Sequence, residues 1–318
     1  MQFPFYMWSI IAQAAEIPFP FLLGPVFFLC YNKGINDKGC DSMAKIRTAV
    51  LQTPVSEDAQ ENLDRVASLF DRDPMRSLDL VTLPEMFLCP YDADRFRDYA
   101  EPEGGPAYRF LSDLARDRSV YLSAGSVPEL GDDGKVYNTA YVFDRAGNCI
   151  AKHRKMHLFD INIAGGQAFQ ESSRLSAGNQ VTVFDTEFCK MGICICYDFR
   201  FPELARLMAD RGAKVLLCPA AFNLTTGPAH WELMFRSRAV DNQVYTIGTS
   251  PARNLDANYV AYGHSIVVDP WGIVISELED RAQIRVVDLD LDRIDEVRDQ
   301  LPLLKHRRKD IYELKTLS

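Results

Sequence analysis

The alternation of apolar and polar stretches divides most of this chain into short buried strands and one-sided helices. Ile46 to Gln52 reads as a strand, and Ser56 is placed to cap a helix that carries Leu63, Val66, Ala67 and Phe70 on one face. Leu78 to Leu83 is a second buried strand, stopped by Pro84, with Glu85 immediately beyond it. Pro106 opens a helix with Phe110, Leu111, Leu114 and Ala115 on its apolar side, and Tyr121 to Ser126 is strand again. Asn138 to Asp144 and Cys149 to Lys155 flank Arg145-Ala146-Gly147-Asn148, a hairpin signal, and Val181 to Asp185 follows as strand.

Lys190 to Ile195 is short and apolar, and Pro202 then opens a helix with Leu204, Leu207 and Met208 at helical spacing and Gly212 as its stop. Lys214 to Pro219 is strand. Trp231, Met234 and Phe235 mark a helix of about 13 residues that ends near Val240. Gln243 to Ser250 is strand, and Ser265 to Asp269 with Val274 to Glu277 enclose the turn Asp269-Pro270-Trp271-Gly272. Arg281 to Asp288 is the last strand, a short helix runs from Asp292 to about Gln300, and Pro302 leads into Lys305-His306-Arg307-Arg308-Lys309. Strands and helices alternate first and hairpins intrude later, which predicts an α/β protein whose mixed sheet, or pair of sheets, is covered by helices.

Residues 1 to 42 break this pattern. They are apolar and aromatic, are interrupted by Pro4, Pro18, Pro20 and Pro25, and carry no Lys or Arg before Lys33. A membrane helix wants about 20 apolar residues free of such breaks, and secretory or mitochondrial leaders want basic residues. The expectation is an apolar extension outside the fold, with a membrane anchor as the competing reading. No linker or repeat divides residues 43 to 318, so a single domain is expected there. A net charge of -9 without a basic stripe argues against nucleic acid. Eight cysteines without CxxC pairs suit a reducing compartment, the cytoplasm or, secondarily, mitochondria.

Three residues then change the picture. Cys196 falls where a buried strand gives way to a helix, so it is either an apolar filler or a nucleophile exposed at a strand's carboxyl end. Glu85 ends another strand and reads alone as a capping or salt-bridged carboxylate; Lys155 ends a third and reads alone as part of a solvated basic run. Together they form a complete set for acyl transfer. A thiol with a pKa near 8.5 is largely protonated at neutral pH and needs a base, which Glu85 supplies. Lys155 and the backbone N–H of Tyr197 can hold an oxyanion. A metal reading through Cys189, Cys194, Cys196 and His157 competes, but CxxxxCxC within one apolar stretch lacks the paired turns of a zinc site. Neither metal nor cofactor is expected.

Leu83-Pro84-Glu85, the Lys155 segment and Cys196-Tyr197-Asp198 resemble the Glu–Lys–Cys triad of the nitrilase superfamily of C–N hydrolases. The resemblance covers nearly all of residues 43 to 318. It sharpens in the stretch from Ala221 to Glu232, in Arg236 to Asn242, in Ser250 to Arg253 and in Asp269-Pro270-Trp271-Gly272, which look like the ω-amidase branch. It implies a four-layer αββα sandwich, a homodimer, and hydrolysis of the terminal amide of α-ketoglutaramate or α-ketosuccinamate through a cysteine thioester. It further implies a second carboxylate, Glu171, that orients Lys155 or assists the hydrolytic water. One departure is Cys194, where the family usually has a small residue, often Gly; it is the rival for the nucleophile. For the substrate carboxylate, Arg200, Phe222, Asn223, Thr225 and Thr226 are the candidates, with Asp198 and Arg200 also read as braces of the turn. Competing readings are an amidase acting on deaminated glutathione or an N-carbamoyl amine, and a non-catalytic scaffold of the same fold.

Overall fold

The computed structural model describes residues 45–164 and 168–317; the expectations for the apolar extension fall outside the described residues. Two sheets form the centre. The first has seven strands: β1 (Lys45–Gln52), β2 (Leu80–Thr82), β3 (Tyr121–Ser123), β4 (Val127–Leu130), β5 (Val136–Phe143), β6 (Cys149–Arg154) and, far ahead in the chain, β15 (Gln283–Asp290). Its path runs β15-β1-β2-β3-β5-β4, with β6 also paired to β5. The second sheet is β14-β13-β12-β11-β10-β9, built from β9 (Thr182–Asp185), β10 (Lys190–Ile193), β11 (Val215–Pro219), β12 (Tyr245–Thr249), β13 (Ile266–Val268) and β14 (Val274–Glu277). A small hairpin sheet pairs β7 (Asp160–Asn162) with β8 (Ala168–Gln170).

The side-chain period of two sorts each strand between layers. On β1, Ile46 and Val50 join a core with Met191 and Ile193 of the second sheet, while Ala49 and Leu51 join a separate core with α1 (Ala59–Leu69) and α2 (Pro106–Arg118). The outer face of the second sheet is covered by α3 (Pro202–Asp210) and α4 (Gly227–Asn242), whose Leu204, Met208, Trp231 and Phe235 are buried in the first of those cores. The order helix, sheet, sheet, helix is the four-layer αββα sandwich. The Oγ1 atoms of Thr82 and Thr249 meet at 2.8 Å to join the sheets.

Several boundaries differ from the sequence pattern for identifiable reasons. Asp58, not Ser56, caps α1, accepting from the N–H groups of Gln60 and Glu61; Ser56 bonds Asn62 instead. The segment from Tyr121 to Ser126 splits, because Gly125 (φ 61°) turns so tightly that a Cβ there would lie 2.1 Å from the Pro84 carbonyl oxygen. The helix marked by Trp231 starts at Gly227, where Asn223 Oδ1 accepts from the backbone N–H groups of Thr225 and Thr226 ahead of its first turn, and runs two residues beyond Val240 to Asn242, where Gln243 (φ 51°) ends it. α5 (Asp292–Gln300) follows β15, and a further turn of helix, α6 (Leu303–His306), sits where the basic tail was expected to begin.

Candidate active site

β2, β6 and β10 end at neighbouring points between the two sheets, and each end delivers one of the expected residues. Glu85 follows β2 on a turn held by Ser126, whose N–H donates to the Pro84 carbonyl and whose Oγ accepts from the Met86 N–H. Met86 itself has φ 50°, so the turn is as tight as the Gly125 turn against it. Lys155 follows β6 and is fixed by its backbone: its N–H donates to the Asn138 carbonyl, and its carbonyl accepts from the Gly178 N–H. Cys196 follows β10 with φ 47°, in the left-handed region that a side-chain-bearing residue enters only when its surroundings hold it there. A short 3-10 turn, Cys196–Arg200, separates it from α3, where the sequence pattern suggested strand passing straight into helix.

The side chains converge. Lys155 Nζ lies 2.9 Å from Glu85 Oε1 and 2.9 Å from Glu171 Oε2, and all three side chains are fully buried. Glu85 is held from two further directions, by Asn138 Nδ2 at 2.9 Å and by the Ala221 N–H at 2.8 Å. Glu171 accepts from the Phe159 N–H at 2.6 Å. The Tyr91 hydroxyl lies 3.2 Å from an oxygen of each carboxylate, and its single proton can serve only one of them at a time. Cys196 is 5% exposed, and its thiol lies close enough to Glu85 for the carboxylate's charge to act on it.

The charges explain the protonation states. Burial alone would drive the Lys155 ammonium to lose its proton, but Glu171 and Glu85 overcome it and hold its pKa well above the ordinary value. One cation cannot fully serve two buried carboxylates, and burial, aided by the charge on Glu85, raises Glu171. The same two influences push the Cys196 thiol well up, with Lys155 opposing. The resting nucleophile is therefore a neutral thiol beside a carboxylate that can take its proton, and not a preformed thiolate.

Cys194, the rival, is fully buried, its thiol directed to the Leu217 carbonyl at 4.0 Å and toward Cys218 rather than to the site. Asp198 braces the turn: its carboxylate accepts from the Ile195, Met156 and His157 N–H groups and from the ring nitrogens of His153 (2.9 Å) and His157 (2.8 Å). An ionised carboxylate only accepts, so both imidazoles present N–H groups to it. One side chain thus ties the backbone just after Lys155 to the strand just before Cys196.

A cavity of about 650 Å³ opens onto this cluster, with Glu85, Tyr91, Ala221 and Tyr259 in its lining. The residues expected to hold the substrate carboxylate gather around Phe222 and the start of α4, directly after Ala221 of the cavity lining, and the Arg200 Nε is buried there without a hydrogen-bond partner among the described residues. Arg200 lies over the Phe222 ring at 4.5 Å and bonds the His230 ring and Met234, Asn223 supports the start of α4, and Thr226 is its buried cap residue; Thr225 is exposed. Sequence reasoning missed Tyr91, Asn138 and Tyr259. Nothing in the pattern around them signals a site: Asn138 reads as the first residue of a strand, and Tyr91 and Tyr259 as loop aromatics.

A carbon-nitrogen hydrolase family model matches residues 47–299. Among curated relatives, the omega-amidase NIT2 of Mus musculus is 48% identical over 274 residues, covering 86% of this chain and 99% of its own length. That of Homo sapiens is 47% identical over 270 residues, covering 85% and 98%. Among solved structures, Saccharomyces cerevisiae Nit3, described as a member of branch 10 of the nitrilase superfamily, superposes with a TM-score of 0.77 at 44% identity over 83% of this chain and 97% of its own. A mutant amidase from Nesterenkonia sp. AN1 (TM-score 0.69, 26% identity, covering 84% and 95%) carries the acetamide moiety of fluoroacetamide covalently on its active site cysteine.

Proposed function

The chain belongs to the carbon–nitrogen hydrolase family, and we propose that it is an ω-amidase that releases ammonia from the terminal amide of α-ketoglutaramate or α-ketosuccinamate. The observation that carries this reading is the buried Glu85–Lys155–Glu171 cluster beside the Cys196 thiol. It is supported by the omega-amidase relatives, 47% and 48% identical over 85% and 86% of this chain.

In this mechanism Glu85 takes the thiol proton as Cys196 Sγ attacks the amide carbon, so charge never has to rest on an isolated buried thiolate. The oxyanion forms near Lys155 and the Tyr197 N–H. Glu85, now protonated, gives its proton to the departing ammonia, which leaves a thioester. Glu85 then takes a proton from water as that water attacks the thioester, and the 2-oxo dicarboxylate departs with the thiol restored. Glu171 holds Lys155 in place through the cycle by accepting from its ammonium while being anchored by the Phe159 N–H. The covalent adduct of the Nesterenkonia amidase supports nucleophilic attack by the corresponding thiol.

We place the protein in the cytoplasm, with mitochondria second, on its cysteine usage. A homodimer is the expected assembly. It is supported by exposed apolar residues Leu233 (63%), Trp271 (45%) and Ile273 (52%), held in one region because Arg236 Nε donates to the Gly272 carbonyl and Gly272 packs against Val240. Ammonia release from α-ketoglutaramate is the direct test, run with the unaltered chain, Cys196→Ala and Cys194→Ala. Turnover that disappears only in Cys196→Ala is expected. Inactivity of the unaltered chain toward this substrate, with activity on another amide, overturns the ω-amidase reading.

A further inference from the structure

The Tyr91 hydroxyl touches all three charged side chains of the reactive cluster. It lies 3.2 Å from Glu85 Oε1, 3.2 Å from Glu171 Oε1 and 3.3 Å from Lys155 Nζ. The ammonium donates to it, and its own proton goes to one carboxylate or the other. We infer that Tyr91 is a positioning residue whose hydroxyl changes partners during the reaction: it donates to Glu85 while Glu85 is ionised and turns to Glu171 once Glu85 has taken the thiol proton. This deepens the functional reading above and rests only on its proton-transfer step, not on the identity of the amide.

The two oxygens of Glu85 are loaded unequally. Oε1 accepts from Lys155 Nζ and Asn138 Nδ2, both at 2.9 Å, and also faces the Tyr91 hydroxyl; Oε2 accepts from the Ala221 N–H at 2.8 Å. A carboxylate oxygen offers about two lone-pair sites, so Oε1 is full while Oε2 keeps room for the proton of Cys196. Once Oε2 is protonated, Oε1 carries less charge. Of its donors, the Tyr91 hydroxyl is the most distant, and it can turn to Glu171 by rotating about its C–O bond without moving a heavy atom. Glu171, whose charge is disfavoured by burial, gains a donor in exchange. Proton transfer to Glu85 therefore moves one hydrogen bond instead of losing it.

The ring is held so that the hydroxyl proton alone has to move. Tyr91 stacks on Tyr259 with centroids 4.5 Å apart and meets Phe96 edge-on at 5.5 Å. The Tyr259 hydroxyl donates to the Ala221 carbonyl at 2.5 Å, bracing the residue whose N–H holds Glu85 Oε2. The titratable groups around Tyr91 are Glu85, Glu171, Lys155, the Cys196 thiol and Tyr259. Burial, then the charges of Glu171 and Glu85, push the Tyr91 phenol well above its ordinary pKa, so it stays a donor throughout the working pH range.

The test is the pH profile of the full chain, Tyr91→Phe and Tyr259→Phe, read in two ways. One is kcat/KM for α-ketoglutaramate. The other is alkylation of Cys196 by iodoacetamide, in which the sulfur displaces iodide and Glu85 takes the thiol proton. Tyr91→Phe keeps the ring stack and removes a donor from the coupled carboxylates, which then hold protons more tightly. Its acidic limb is expected to move up by about one pH unit in both readouts. Below the limb kcat/KM should fall about tenfold, with at most about a threefold loss on the plateau and KM within about twofold. That plateau certifies the fold. Tyr259→Phe removes a hydroxyl from the same stack but none from the carboxylates, so it should lower both rates by a similar factor at every pH. A limb that stays in place in Tyr91→Phe, an equal loss at all pH, or an equal limb shift in Tyr259→Phe overturns the switch. An unaltered chain that leaves α-ketoglutaramate untouched, with the limb shift present in alkylation, overturns the ω-amidase reading and supports the switch.

Discussion

Two buried ionic clusters lie next to one another in this protein, and they are built to opposite rules. Around Asp198 a single carboxylate collects three backbone N–H groups and two imidazole N–H groups. Burial works against its charge, yet the bonds from His153 and His157 win and hold its pKa well below the carboxylate range. Around Lys155 the count is reversed: two carboxylates, a tyrosine hydroxyl and a thiol gather on one cation, and burial with mutual repulsion raises both Glu171 and Cys196. The saturated cluster has no proton left to move and serves as a clamp. The undersupplied one holds protons that are poised to move, which is what acyl transfer requires.

Removing chemistry from the undersupplied cluster should have the largest effect. Cys196→Ala is expected to cut kcat/KM roughly 10⁴-fold or more with little change in melting temperature, since the lost atom is the nucleophile. Lys155→Met should do nearly as much damage to rate and, by leaving two buried carboxylates without their cation, lower stability by about 3–5 kcal/mol in urea unfolding. A Lys155→Met protein as stable as the original would mean the carboxylates are solvated more than their burial indicates.

Asp198→Asn is the counterpart on the clamp. Asn keeps the shape but replaces one acceptor oxygen by a donor group, so a loss of about 3 kcal/mol is expected, with roughly a 10²-fold fall in rate as Lys155 and Cys196 drift apart. The pH dependence separates charge from shape. A carboxyl whose folded pKa is depressed stabilises the fold fully above its unfolded pKa of about 3.9, and this is lost as pH falls toward the folded value. The stability gap between the original and Asp198→Asn should therefore be widest above about pH 4 and close below it. A gap independent of pH would show that only hydrogen-bond geometry was at stake.

Smallest of all is Cys194→Ala. The residue lies behind the nucleophile with no face on the cavity, so about 1 kcal/mol of stability and less than a threefold change in rate are expected. A large loss of rate there would mean that the packing beneath Cys196, and not only its turn, sets the thiol's position.

The reactive groups were legible from the chain because each stands at the end of a predicted strand: Glu85 and Cys196 after apolar runs, and Lys155 at the end of the Cys149 to Lys155 hairpin strand. Apolar runs and hairpin signals identify strand ends whatever the fold, and site chemistry demands a base, a cation and a nucleophile. The two helices opened by Pro106 and Pro202 and the Arg145 to Asn148 hairpin were legible for a similar reason, since proline and turn chemistry act within a few residues.

What escaped depends on distance through space. That β15 closes the free edge of β1, pairing Lys45 with Asp290, is a contact between the two ends of the folded domain, and no local pattern encodes it. The same holds for Asn138, which looks like any strand residue until β5 brings its amide to Glu85, and for Tyr91, whose hydroxyl matters only because two carboxylates flank it. Arg200 is similar: its place four residues after the nucleophile is local, but only the 3-10 turn after Cys196 lays its guanidinium over the Phe222 ring. By itself the sequence determined the strands, the helices and the set of reacting groups, because apolar periodicity and turn chemistry are local. Only the tertiary structure decided which polar neighbours surround those groups, because burial and charge balance are properties of the assembled interior.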